Sequence, residues 1–375
     1  MKKALLIEDL EYLYSKLVKH PLFAVNEGER TRFDTLFHTN ITNYHDFLSA
    51  ATQLTCFFCD GHTNIELPYL PKDQAINLPC YWLGNRLLLA AAYKSIECDS
   101  EIAAIEDISI QDLIRDMSDR IPHENEYLVK SRMINYPYQN YHLFSKYNLE
   151  SLFGVKDRYH FSFITRGTPF DTEFALEEYS GYLDFCDANF VHYDILDNTA
   201  VLHLDSCICN NRYKNTLDEL VDVCLQKNIK LLVLDLSKNM GGSSAVIDEF
   251  IKHTKTDRYR RYEMINYSEG IAEHITRRTE FVKNSRYPNC FDLEICCNVS
   301  HDTFSSARTF AVTLKDNGIA AKITGSPTGG KPSSFGMPQR FKTPNYQLPF
   351  RVSQCLFLRP NADGDHEAAL YPDSV

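Results

Sequence analysis

Leu231-Leu232-Val233-Leu234-Asp235-Leu236-Ser237-Lys238-Asn239-Met240-Gly241-Gly242 joins an apolar run, Leu231 to Leu236, to a pair of glycines. Such a run reads as a strand buried on both faces of a parallel sheet. After it, Val246, Ile247, Phe250 and Ile251 recur at helical spacing,. Strand, glycine turn and helix in succession are the unit of an α/β fold. The turn falls at the carboxyl end of the strand, where α/β proteins place their sites. Glycines there let the backbone approach a ligand and aim an N–H at it.

The same alternation extends on both sides. Val201 to Leu204 reads as a strand, and Thr216-Leu217-Asp218-Glu219 has the form of a capping box opening a helix with Leu217, Leu220, Val221 and Cys224 on one face,. Leu293 to Val299 is the next strand, Ser305 to Asn317 the next helix, and Ala320 to Thr324 a further strand,. The fold class is therefore α/β, with its core in residues 196–375. Residues 1–66 read as a helical module: Leu10, Leu13, Tyr14 and Leu17 share a face, Asn43 caps a second helix, and Gly61 is placed to stop it in a left-handed conformation,. Residues 67–195 read as β-rich, with short apolar runs at 81–83, 87–92, 102–105 and 159–165 and one helix over 110–117. No chemistry can be placed between 123 and 190.

Composition narrows the function classes. The chain has 375 residues, 44% of them hydrophobic and 24% charged, as in a globular protein,. Its 50 acidic against 39 basic residues argue against a nucleic-acid backbone or an anionic membrane as partner,. The apolar start ends at Glu8-Asp9, too early for a secretion signal, and no run approaches the roughly 20 residues of a membrane span,. These features make the expected location cytoplasmic. The twelve cysteines then read as reduced and mostly packed,. A zinc site could be drawn from Cys56, Cys59 and His62, but no second ligand pair stands at the usual spacing,.

Three segments carry candidate chemistry. A serine hydroxyl becomes a nucleophile when a base takes its proton and donors hold the oxyanion that forms. Ser305 stands between a strand and a helix, so its turn presents backbone N–H groups, although a serine there also has the ordinary role of an N-cap,. Gly241 N–H and Ser306 N–H are the candidate oxyanion donors. Lys331 follows Ser305 by 26 positions in a glycine-rich turn, and it could act as the base if an apolar pocket desolvated it,.

These motifs resemble those of the C-terminal processing (tail-specific) serine peptidases, whose core is similar to the crotonase and ClpP superfold. Residues 234–242 are similar to that family's strand and "DLRxNxGG" loop, with Ser237 in place of the arginine. Thr303-Phe304-Ser305-Ser306-Ala307 matches its nucleophile segment, and Gly325-Ser326-Pro327-Thr328-Gly329-Gly330-Lys331 its "GxxTxGK". Asp60-Gly61-His62-Thr63 looks like its "D-[GP]-H-T", and residues 104–113 look like the remnant of a PDZ-like substrate-binding domain. The resemblance implies a core of repeated ββα units, Ser305 as nucleophile and Lys331 as base in a Ser-Lys dyad. It implies a polypeptide substrate and no cofactor or metal. Two features keep His62 open as the base: Phe335 stands where Lys-type members often carry Gln, and a related branch pairs a His near this position with a Glu before a C-terminal Pro-Asp, here Glu367 and Pro372-Asp373. A dedicated peptide precursor is the substrate that a missing export signal suggests. The same departures leave room for an inactive peptide-binding scaffold.

Overall fold

The computed structural model describes residues 3–181, 189–268 and 270–373. By compactness the chain forms two units, each assembled from separated segments. Unit 1 comprises residues 1–18, 26–184 and 339–352; unit 2 comprises 19–25, 185–338 and 353–375.

Unit 1 gathers the N-terminal helices and the β-rich segment, which the sequence divides at residue 66. Lys3–Leu17 buries Leu6, Leu10, Leu13 and Leu17. Tyr44–Cys56 is capped by Asn43, whose side chain accepts from Asp46 N. The left-handed residue that follows this helix is Cys59, at φ 45°, rather than Gly61. Asn64–Ile65 pairs with Pro349–Val352, which pairs with Gln339–Lys342, so a hairpin from far along the chain returns to this unit. An antiparallel sheet runs Cys80–Leu83, Arg86–Leu89, Glu101–Ile105, Tyr159–Thr165, Thr168–Phe174. It shares a core of Ile102, Ile105, Phe161 and Phe163 with the helix Ile110–Ser118. Two further helices, Glu126–Asn135 and Lys146–Phe153, start at the caps Asn125 and Ser145.

Unit 2 holds the α/β core. Its sheet runs β1 (Val191–Leu196), β2 (Thr199–Leu204), β3 (Leu231–Asp235), β4 (Glu294–Val299), β5 (Lys322–Gly325). β1 is antiparallel to β2, and β2 to β5 are mutually parallel. The parallel connections carry α1 (Asn211–Lys227), α2 (Ala245–Lys252) and α3 (Ser306–Asp316). α1 begins at Asn210, whose side chain accepts from Tyr213 N, so Thr216 lies inside the helix rather than at its cap. β3 is buried on one face only: Leu232 and Leu234 are in the core, while Leu231, Val233 and Asp235 stay partly exposed. That second face is polar at register-matched positions, because His203 pairs with Asp235 and Asp235 with Asn298.

Candidate active site

In unit 2 the loops after β2, β3 and β4 are tied together at the carboxyl ends of the parallel strands. Thr303 Oγ1 donates to Leu236 O at 2.8 Å, Phe304 N to Asn239 O at 3.1 Å, and Ser300 Oγ to Ser237 O. The buried Asn239 donates through Nδ2 to Leu204 O at 2.7 Å, and Cys207 N donates to Gly241 O at 3.0 Å. Buried polar groups that satisfy one another in this way fix a loop geometry that surface turns would leave soft.

Ser305 sits where these loops meet. Its backbone is at φ 53°, ψ −125°, and its side chain makes no capping hydrogen bond to α3. A non-glycine residue in this region costs on the order of 1–3 kcal/mol and persists only where the surroundings impose it. The ordinary role of an N-cap is thus not the one Ser305 plays. Gly241, at φ 109°, lies against it: a Cβ there would fall 2.7 Å from Ser305 Cβ and 3.2 Å from Ser305 Oγ. Gly242 lies equally close to Cys207 O, where a Cβ would fall at 2.5 Å.

Of the candidate oxyanion donors, Ser306 N–H stands in the first turn of α3 and donates to no group among the described residues, while Ser306 Oγ donates to Gly242 O at 2.8 Å,. Gly241 N–H donates to Asn239 Oδ1 at 2.9 Å. The neighbouring Gly242 N–H has no acceptor among the described residues, a feature that two adjacent glycines do not reveal in sequence.

Lys331 follows the buried Thr328, Gly329 and Gly330 and is itself exposed, not enclosed in the apolar pocket that a lysine base requires,. Thr328 anchors its loop: Thr328 N donates to Leu370 O at 3.2 Å and Leu370 N to Thr328 Oγ1 at 3.1 Å.

His62 belongs to unit 1 and has a different environment. Its side chain is 12% exposed, with Nδ1 3.5 Å from Asp60 Oδ1 and 3.9 Å from Glu124 Oε1, both carboxylates being buried. Asp60 also accepts from His62 N at 2.9 Å and from Thr63 Oγ1 at 2.7 Å, which fixes the turn. Arg132, fully buried, donates to Gly61 O at 2.6 Å and to Pro122 O, so one guanidinium holds both the His62 turn and the segment before Glu124. Glu124 and Arg132 carry no sequence signal of this role, since both lie more than sixty positions from His62.

Two groups among the described residues have donors close enough for a metal ion: Asp60, His62 and Glu124 in unit 1, and His192, Asp194 and His203 in unit 2. The Cys56, Cys59 and His62 set is not among them. Cys186 lies outside the described residues, and the other eleven cysteines are free thiols. Burial pushes the Cys207 thiol up to about 12, so it stays protonated and inert,.

Residues 198–373 match the model for peptidase family S41. That region belongs to peptidase family S41. The family is one of serine peptidases, and the chain is accordingly a serine-type peptidase. No curated sequence matches the chain. Among solved structures it is similar to mature CPAF, with a TM-score of 0.71 at 12% identity over 99% of this chain and 92% of that one. Mature CPAF complexed with lactacystin gives 0.68 at 13% over 99% and 93%. The photosystem II D1 C-terminal processing protease gives 0.52 at 12% over 100% and 92%. At such identities the likeness is one of fold.

The departures from the expected S41 pattern have structural roles. Ser237, in place of arginine, donates its N–H to Asp235 Oδ1 at 3.0 Å. Phe335 packs edge-on against His20. Glu367 is held by the buried Arg359 at 2.6 Å, and Arg359 also grips Asp316 at 2.6 Å. Asp373 accepts from Ile323 N at 2.7 Å and pairs with Lys315. Glu367 and Asp373 are thus engaged in anchoring the C-terminal segment of the S41 region. Among the described residues, no helix is long and apolar enough to cross a membrane.

Proposed function

We propose that the protein is a serine endopeptidase that cleaves flexible polypeptides through an acyl-enzyme, with Ser305 as nucleophile. The observation that carries the reading is the strained, non-capping backbone of Ser305 pressed against Gly241. An ordinary helix start would relax that conformation, whereas a nucleophile presented on a sharp strand-to-helix turn needs it.

Ser305 Oγ attacks the peptide carbonyl, the base takes its proton and returns it to the leaving amine, and water then hydrolyses the ester. Ser306 N–H is one proposed oxyanion donor. Gly241 N–H is the other, sharing its proton with Asn239 Oδ1, and Gly242 N–H stands beside it as an open donor. Two residues are candidates for the base: Lys331, which belongs to the same unit as Ser305, and His62, whose Nδ1 has buried carboxylates beside it of the kind that orient an imidazole and stabilise an imidazolium,.

The test is mass spectrometry of an unstructured peptide library incubated with the wild type and with Ser305→Ala, together with labelling by a fluorophosphonate. Cleavage and labelling that vanish in the variant, with its circular dichroism unchanged, support the reading. Undiminished cleavage by Ser305→Ala removes Ser305 as nucleophile, and a wild type that neither cleaves nor labels replaces the peptidase with a peptide-binding scaffold.

A further inference from the structure

The open face of the β1–β2 hairpin carries chemistry that peptide hydrolysis does not use. In register, His192 stands opposite His203, and Asp194 is two residues along the same face of β1,. We infer that His192, Asp194 and His203 form a binding site for one divalent transition-metal ion of the zinc class.

Geometry is the first support. His203 Nε2 lies 3.3 Å from Asp194 Oδ2, and one donor atom from each of the three residues lies within 4.8 Å of the others. Ligands about 2.0–2.2 Å from a tetrahedral zinc are about 3.3–3.6 Å apart, so one pair of donors already has the required separation. The third needs a side-chain rotation: the His192 ring stacks on His203 at 4.6 Å and 16°, which leaves its lone pair alongside rather than converging. His192 is exposed on β1, so that rotation meets no core packing.

A built outer layer is the second support. His203 Nδ1 lies 3.1 Å from Asp235 Oδ2, which orients Nε2 towards Asp194. Asp235 is in turn held by Ser237 N and Asn298 Nδ2, both at 3.0 Å, and Thr324 Oγ1 donates to Asn298 Oδ1 at 3.2 Å. A carboxylate behind a ligating histidine is the usual device for fixing its tautomer and raising its basicity.

Donor type selects the ion. Two imidazoles and one carboxylate suit zinc, cobalt or nickel, with a position left for water, whereas calcium and magnesium take oxygen donors. Partial exposure of all three side chains provides the entry path.

Zinc titration of the reduced full-length chain by calorimetry, with cobalt as the optical probe, tests the inference. The expected result is one equivalent bound without a thiolate-to-cobalt charge-transfer band. That equivalent should weaken by at least about 100-fold in His192→Ala and in His203→Ala, by about 10–100-fold in Asp235→Asn, and not at all in His62→Ala or Cys56→Ser. His192→Ala changes an exposed side chain, so it reports on binding even if His203→Ala fails to fold. Unchanged binding in His192→Ala, a thiolate band, or no binding by the wild type would each overturn the site and leave a stacked imidazole–carboxylate ladder.

Discussion

Ser305 and His62 are held in opposite ways. Around Ser305 the determinants are backbone: a positive φ, a glycine in van der Waals conflict with any larger residue, and loop carbonyls and amides paired with one another. Around His62 they are side chains: Asp60 in its own turn, Glu124 from another segment, and Arg132 clamping the carbonyls of both. A nucleophile must be presented at one angle, and backbone geometry sets angles. A proton acceptor must have the right charges facing it, and side chains from several segments supply those.

The largest test of this contrast replaces each candidate base. Of His62→Ala and Lys331→Ala, the one that removes the base lowers kcat/KM by about 10²–10⁴-fold, the usual range for a lost general base, while the other costs less than about tenfold. Steady-state cleavage of a peptide found in the library screen measures both. The larger loss in Lys331→Ala would make Lys331 the base and the Asp60–His62–Glu124 cluster a structural clamp, and the larger loss in His62→Ala would reduce Lys331 to an exposed loop residue. Glu124→Gln sharpens the point: a fall in kcat at unchanged KM marks a carboxylate that acts through His62.

That asymmetry also explains what the sequence makes legible. Residues 231–242 and 303–307 announce strand, turn and helix because glycine and cap preferences act over a few positions, and the structure places them at the carboxyl ends of β3 and β4. Glu124 and Arg132 stay silent because their roles depend on which loop the helix Glu126–Asn135 packs against. The return of residues 339–352 to unit 1 is silent for the same reason, since strand partners that are distant in sequence leave no periodic signal. Two local readings also shifted. Thr216 has the form of a cap, yet Asn210 is the cap because apolar positions continue back to Tyr213. Leu231 to Leu236 suggests burial on both faces, yet one face carries the polar row that includes His203, Asp235 and Asn298.

A smaller effect separates the two units by pH. Burial pushes His142 down to about 4 and also lowers His123, and both belong to unit 1. The unfolded chain binds a proton near the ordinary histidine value of about 6.5, so the contribution of neutral His142 is fully present above that pH. It is lost as pH falls from about 6.5 to about 4, by on the order of 3 kcal/mol. In unit 2, by contrast, the lowered carboxyl of Asp235 keeps its contribution until pH falls below the ordinary aspartate range. Hydrogen exchange at pH 7 and pH 5 should therefore show unit 1 loosening first, and His142→Phe should remove most of that difference. Earlier loosening of unit 2 would break the assignment.

The smallest effect isolates the backbone strain itself. Ser305→Ala and Ser305→Gly both delete the hydroxyl, and both should be inactive, so activity cannot separate them. They differ in what φ 53°, ψ −125° costs each residue. Alanine keeps a Cβ in a region that L-residues avoid, while glycine reaches it freely. In an unstrained helix start the glycine variant would be the less stable, because glycine loses more conformational freedom on folding. Here the order should invert, with Ser305→Gly melting higher and unfolding at greater urea concentration, by about 1 kcal/mol. If Ser305→Ala proves equally or more stable, the conformation carries no strain, and the physical basis for choosing Ser305 over an ordinary N-cap is lost even if the peptidase activity is real.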